Sequence, residues 1–275
     1  RQLLMLGIAL FVTEYLSEEK IQTKRTMVSI LAMVVGCFSK AVYIPFLALY
    51  WLMPKDKFYS RRQKNLFKAG IFVLLILMFA SFILPLIGNV TSGAEVGDYR
   101  GGDTSQTSQL SMILGYPLTY TGVLLKSLGT TFASYFIGSK VLANFAYRGI
   151  YDGIGYFVAL LTMLFTFVTD FGMTEKTYDA QMKRKILMMK IWNAVLIFGT
   201  ACLVWTALYL DFTPVGSMVI NGVSPRYYLP LIFPLSLIFI NQKVRCSMKL
   251  ENYQSLIAFL MLIGTGISIY CLMLA

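Results

Sequence analysis

Histidine is absent from the 275 residues, and only 13% of them are charged. Without imidazole there is no Ser-His-Asp triad, no histidine general base and no His-ligated zinc or haem. The low charge restricts the chain as strongly. Soluble domains carry roughly a quarter charged residues, whereas 57% of this chain is apolar and its mean hydropathy is +0.67. That balance excludes a soluble enzyme, a nucleic-acid reader and a disordered tail. Cysteine is scarce too: Cys37, Cys202, Cys246 and Cys271 show no paired spacing. They read as small apolar residues rather than a disulfide or metal framework.

What is present is apolar length. A helix needs about 20 apolar residues to cross a hydrocarbon core of roughly 30 Å. Ala69–Val90, Gly153–Thr169, Ile191–Leu210 and Leu256–Leu274 fit that pattern, and Leu3–Tyr15 reads as the clipped end of another span. Tyr227–Ile240 is short, and Pro225, Pro230 and Pro234 space it as a kinked helix that neighbouring helices can support in lipid. The chain opens on Arg1 with no n-region or cleavage site before the apolar sequence, so it reads as the C-terminal portion of something longer.

Met27–Met53 is interrupted by Cys37-Phe38-Ser39-Lys40. A lysine at the centre of a lone membrane helix costs about 2.5–3.5 kcal/mol. The interruption instead suggests two arms, Met27–Phe38 and Ala41–Met53, forming a short helical hairpin over 27–53 that turns at Ser39-Lys40. Each arm would rise about 18–20 Å. Pro45 falls early in the second arm, where it disrupts least. Only this hairpin puts the basic stretches 16–26 and 54–68 on the same side as 170–190 and 241–253. These four then hold 17 Lys/Arg, against five in 91–152 and 211–226. By the positive-inside rule the first set is cytoplasmic and the second extracytoplasmic, so the net charge of +11 reports orientation rather than a nucleic-acid partner.

Leu118–Ile137 is long enough to invert this map if it crossed the bilayer. Its apolar positions Tyr120, Leu124, Leu128, Phe132 and Tyr135 recur at helical spacing, with Thr119, Lys126, Ser127 and Thr130 on another face. That pattern predicts a helix lying in the membrane interface, separated by Gly115-Tyr116-Pro117 from a short helix beginning near Gln109. The expected fold is all-α: one polytopic transmembrane helical bundle over 1–275 with about six or seven membrane elements plus the hairpin. Interfacial helices between residues 109 and 150 then belong to a 91–152 region too long to be a plain connector.

Three constellations can carry chemistry. Asp98-Tyr99-Arg100-Gly101-Gly102-Asp103 lies near Gln109. Its glycines let backbone approach an anion, Arg100 can clamp a phosphate, and Asp98 or Asp103 can act as a base or hold a divalent cation. The other reading is a solvated loop, and no Walker or dinucleotide pattern is present. Arg226 sits between Pro225 and Tyr227-Tyr228 at the mouth of the kinked helix, either as an interfacial anchor or as a guanidinium for a lipid-linked phosphate. Lys40, inside the apolar hairpin, calls for a bound anion or a buried carboxylate.

Three segments resemble a known family, in its order. Gly222-Val223-Ser224-Pro225-Arg226-Tyr227-Tyr228-Leu229-Pro230-Leu231 resembles the GVQGRYxLPLxP signature of bacterial membrane proteins of domain-of-unknown-function family 2142. Ser224-Pro225 stands where that family has Gln-Gly, so no role is carried over from the family's Gln. Thr107-Ser108-Gln109-Leu110 through Tyr116-Pro117-Leu118 is similar to its "aQL…hP" segment, and Ser39-Lys40-Ala41-Val42-Tyr43-Ile44-Pro45 to its "sKppY" turn. The family is in turn similar in architecture to C-type membrane glycosyltransferases.

The resemblance implies a multi-pass protein of the bacterial cytoplasmic membrane that uses a polyprenyl-phosphate-linked sugar for cell-surface glycan assembly. Its partners would be the bilayer and that donor, and no nucleic acid. The catalytic Asp of such enzymes lies after their first helix, outside this chain if the chain is a C-terminal portion. Lys40, Arg226 and Arg100 would then neutralise the lipid phosphate, Gln109 would position polar groups, and Asp98 and Asp103 would be the loop acids. No metal ligand set is read from the sequence. The alternative is a non-enzymatic transporter or a partner subunit in envelope polysaccharide assembly.

Overall fold

An apolar segment in lipid satisfies its own backbone best as a helix, since no water is available to do so. The computed structural model describes residues 2–38, 40–91, 103–144, 149–169, 179–239 and 248–274. Among these it is all-α, with no strand beyond an isolated Asn144–Ile150 bridge. The order is α1 (Gln2–Leu16), α2 (Thr23–Phe38), a 3-10 helix (Ala41–Leu52), α3 (Arg61–Thr91), α4 (Gln106–Gly115) and α5 (Pro117–Phe136). Then follow α6 (Ser139–Leu142), α7 (Ile154–Val168), α8 (Ala180–Phe212), α9 (Leu229–Ile238) and α10 (Leu250–Leu274).

Arg61–Pro85 of α3, all of α8 and Leu250–Met273 of α10 are long and apolar enough to cross a membrane. Gln2–Leu16, Ala41–Leu52, Ile154–Val168 and Leu229–Ile238 are shorter apolar helices. The long helices begin six to eleven residues before the apolar runs do, because a helix need not stop where the lipid does. At α3 a reciprocal Ser60–Gln63 cap, shifted one residue from a capping box, sets the start. The Ser60 hydroxyl accepts from Gln63 N (3.1 Å), and the Gln63 side chain reaches back to Tyr59 N (2.8 Å).

The chain divides into two compact units, 1–130 with 191–224 and 131–190 with 225–275. In the first, α1 and α2 pack antiparallel and close. A Cβ on Gly36 would lie 2.7 Å from Leu4 N, and the buried Ser29 hydroxyl donates to Gly7 O (2.6 Å). The second arm differs from the helix its apolar pattern suggested, being a 3-10 helix throughout. Pro45 supplies no N–H, and the β-branched and aromatic run around it favours α-helix poorly. Long 3-10 runs are uncommon. Here packing holds one, with Tyr43, Ile44, Phe46, Leu47, Leu49 and Tyr50 all buried. Side chains from elsewhere use its carbonyls: Trp192 Nε1 donates to Ala48 O (3.2 Å) and Lys68 Nζ to Trp51 O (3.1 Å).

The loops at one end of these arms meet directly. Lys57, 1% exposed, donates to Ser17 O (2.6 Å), Ser17 Oγ (2.6 Å) and Glu19 O (3.0 Å). Ile21 N donates to Lys57 O (2.9 Å), and Lys20 Nζ to Asp56 O (2.7 Å). Glu14, buried just below, accepts from Gln22 N (2.9 Å) and pairs with Arg25 (3.3 Å). α5 buries Val123, Leu124 and Leu128, but Phe132 is exposed, unlike the stripe expected of it. Around it Thr131 and Tyr135 are half-buried and Phe136 is buried.

In the second unit α7 and α10 pack antiparallel through small residues. Gly155 and Ala159 face Gly264 and Ser268, and a Cβ on Gly155 would overlap the Ser268 hydroxyl and the Gly264 carbonyl. This is the small-xxx-small device by which membrane helices gain van der Waals contact. The Thr169 and Tyr253 hydroxyls close the far end (2.7 Å).

Candidate functional site

The first unit gathers the Gln-Leu segment and the start of the Arg segment at one place, the C-terminal end of α8. That end has carbonyls with no helical N–H to accept from. α4 supplies the donor. Ser105 caps α4, its Oγ accepting from Ser108 N, and residues 106 and 109 then fall on one face, three apart. Gln109 is fully buried, and its amide nitrogen reaches the carbonyls of Tyr209 (3.1 Å), Thr213 (3.2 Å) and Pro214 (3.2 Å). Its Oε1 accepts from Gly216 N (3.3 Å). Gln109 thus holds both the helix end and the turn beyond it.

Around this anchor the other contacts are polar and short. Gln106 Nε2 donates to Asp211 Oδ1 (2.6 Å). The buried Thr213 hydroxyl donates to Leu208 O (3.0 Å) and accepts from Asn221 N (3.0 Å), folding the loop back onto the helix. Gly222 then packs against the Phe212 ring, which leaves no room for a Cβ, and its φ of +77° is a left-handed conformation that glycine adopts without strain. Tyr120 on α5 meets the Thr206 hydroxyl and packs its ring against Tyr209 at 5.1 Å.

Arg226 belongs to the second unit, on a 3-10 turn, Pro225–Tyr227, that leads into α9. The turn is held by Tyr228, 2% exposed, whose ring lies edge-on to Tyr135 (5.4 Å) and Phe136 (4.9 Å). Pro230 follows in the first turn of α9, where a missing N–H costs nothing. The Arg226 side chain itself is exposed, with its guanidinium 5.8 Å from the Tyr227 ring centre and no carboxylate partner among the described residues.

The sequence-derived candidates are therefore distributed. Gln109 and Asp103 share the α8 end, Asp103 through its carbonyl, which accepts from Val215 N (3.4 Å), while its carboxylate is exposed. Lys40 is half-buried, extended, and caps the 3-10 helix that follows α2. Asp98 and Arg100 lie outside the described residues. Among the described residues no three acidic or cysteine side chains converge as a metal site. Sequence reasoning passed over Asp211, Gln106, Glu14 and Lys57. Asp211 carried a readable signal, because a carboxylate in the last turn of a helix opposes the helix dipole and requires a donor.

No curated protein and no solved structure matches the chain. Residues 3–235, which span α2 and the 3-10 helix after it, the α8 end and the Arg226 turn, match a family model described as "Predicted membrane protein (DUF2142)". The chain belongs to that family of membrane proteins of unknown function.

Proposed function

We propose that this protein is a glycosyltransferase-like component of the bacterial envelope that handles a polyprenyl-phosphate-linked sugar on the extracytoplasmic face. The observation that carries the reading is Arg226. It is an exposed guanidinium without a carboxylate partner among the described residues, on a turn fixed by buried Tyr228 and by prolines on both sides. A guanidinium presented this way suits a phosphate oxygen pair, which it can bind in two places. Placing it beside tyrosines fits the headgroup level of a bilayer, where a lipid phosphate lies.

In the transfer this reading implies, an acceptor hydroxyl oxygen bonds to the anomeric carbon as the bond from that carbon to the lipid phosphate breaks. The hydroxyl proton passes to a carboxylate, and polyprenyl phosphate leaves with the electron pair. Cations matched to that leaving group stabilise the charge growing on it. Gln109 and its neighbours would keep the surrounding turn rigid rather than touch the sugar, since every polar atom of the Gln109 amide is used internally.

The test is Arg226→Ala and Arg226→Lys in the full-length protein in its own membrane. Both variants should assemble normally. Envelope glycan should fall at least tenfold in Arg226→Ala and partly recover in Arg226→Lys, a point charge without the fork. Unchanged glycan in Arg226→Ala overturns the site. Accumulated lipid-linked sugar with intact transfer in isolated membranes would favour the transporter or partner-subunit reading. Orientation is checked separately: a cysteine at Ser105 should label from outside, and one at Ser60 only after permeabilisation.

A further inference from the structure

Away from the α8 end, α3 presents an apolar groove whose chemistry is of a different kind. It has a volume of about 490 Å³ and is lined by Trp51, Phe72, Ile76, Phe79, Ile83 and Leu84, together with Leu75 and Ala80. Ala80 makes the hollow, being a small side chain among bulky neighbours three and four residues away on the same helix face. Trp51 forms one end, its ring stacked on Phe72 at 6.4 Å. From Phe72 to Leu84 the groove follows α3 for about 18 Å, slightly more than one leaflet of a roughly 30 Å core.

The Trp51 end is basic. Lys68 Nζ bonds the Trp51 carbonyl (3.1 Å), and Arg61, Lys64 and Lys68 follow at spacings of three and four, which places them on one face of α3. Arg61 and Lys64 fall in the first turn or so of a helix with no acidic residue there. That is the end where the helix dipole already repels cations and attracts anions. Two features therefore meet on one face of α3: a one-leaflet apolar channel, and a row of cations that starts at its mouth with Lys68 and runs back to Arg61, which the helix itself does not compensate.

We propose that this groove holds one acyl chain of an anionic glycerophospholipid, with the lipid phosphate against Lys64, Lys68 and Arg61. The groove suits a single chain, and the charge selects the headgroup. The inference stands apart from the Arg226 reading and survives its failure.

Native mass spectrometry of the full chain released from mixed phosphatidylglycerol and phosphatidylcholine vesicles tests it. Retained phosphatidylglycerol should exceed phosphatidylcholine by about fivefold for each cation that reaches the phosphate. Replacing Arg61, Lys64 and Lys68 by Gln should remove the preference. Ala80→Phe should lower bound phosphatidylglycerol without altering charge. Brominated phosphatidylglycerol should also quench the unmodified protein's tryptophan fluorescence more than brominated phosphatidylcholine does, an effect that Ala80→Phe weakens. Equal retention of the two lipids overturns the proposal, as does a preference that survives both sets of substitutions. So does a dimer that Ala80→Phe dissolves, which would make a second copy the occupant.

Discussion

The ends of α1 and α8 pose the same problem and solve it with opposite chemistry. Both leave carbonyls without helical donors, and both receive a single buried side chain from far along the sequence. At α1 the donor is the Lys57 ammonium, charged and set among lysine-rich loops. At α8 it is the neutral Gln109 amide, in a loop region with few cations. An ammonium complements the negative end of a helix dipole as well as its lone pairs, but it tolerates burial only where solvent and other polar groups are near. An amide gives fewer electrostatic gains and can also accept. Gln109 uses that second capacity to fasten Gly216, which Lys57 could not do. The difference shows where each end needs charge and where it needs a precise turn.

Breaking the neutral side of the comparison should have the largest effect. Gln109→Glu keeps the shape but turns the donor into an acceptor facing three carbonyls in a site with no exposure. An uncompensated buried charge costs about 3–5 kcal/mol. The variant should melt well below the native protein in a detergent thermal scan, and lowering the pH should restore part of the loss by protonating the carboxyl. Gln109→Leu, which orphans the carbonyls without adding charge, should show no such recovery.

The charged side should be next. Lys57→Met preserves the aliphatic stem and leaves Ser17 O, Ser17 Oγ and Glu19 O without their shared donor. Each orphaned buried acceptor costs about 1–3 kcal/mol, but these loops are near solvent and water can replace part of the ammonium's work. A net loss of about 2–3 kcal/mol is expected from equilibrium unfolding, with Lys57→Arg retaining most of the stability. If Lys57→Met proves more damaging than Gln109→Glu, the idea that solvent softens the charged end is wrong.

Much of the fold was legible because lipid leaves few options. Apolar length and the Gly115-Tyr116-Pro117 break locate α3, α4, α5, α7, α8 and α10 to within a turn or so at their apolar ends. The starts of α3 and α8 were less legible, since polar residues such as Gln63 and Lys183 continue a helix as readily as they end one. The 3-10 course of Ala41–Leu52 was hidden because its stability comes from Trp192, Lys68 and buried packing, not from its own pattern. The anchors were hidden for the same reason. Nothing local in Lys57 points to residues 40 positions earlier, and Gln109 stands out only through its family-like segment, not through the helix end 100 positions later. Arg226 was conspicuous in the sequence, whereas the aromatic seat under it was not, because Tyr228 meets Tyr135 and Phe136 only after folding.

A smaller pair of substitutions tests whether depth alone separates the two ends. Each end has a hydroxyl beneath its main donor. Ser17 Oγ donates to Glu14 O (3.0 Å) and accepts from Lys57, and Thr213 Oγ1 donates to Leu208 O (3.0 Å) and accepts from Asn221 N (3.0 Å). The chemistry is nearly matched, so a difference between the variants reports environment. Thr213 is fully buried, and Thr213→Val takes the hydroxyl from both the Leu208 carbonyl and the part-buried Asn221 N–H, for about 1–2 kcal/mol. Ser17 is partly exposed, and its Lys57 partner keeps two carbonyls, so Ser17→Ala should cost about 0.5 kcal/mol or less. Amide exchange at Asn221 gives a local readout: it should accelerate in Thr213→Val and remain unchanged in Ser17→Ala. Equal losses in the two variants would mean that water reaches the α8 end as freely as the α1 end, and the neutral amide there would need another explanation.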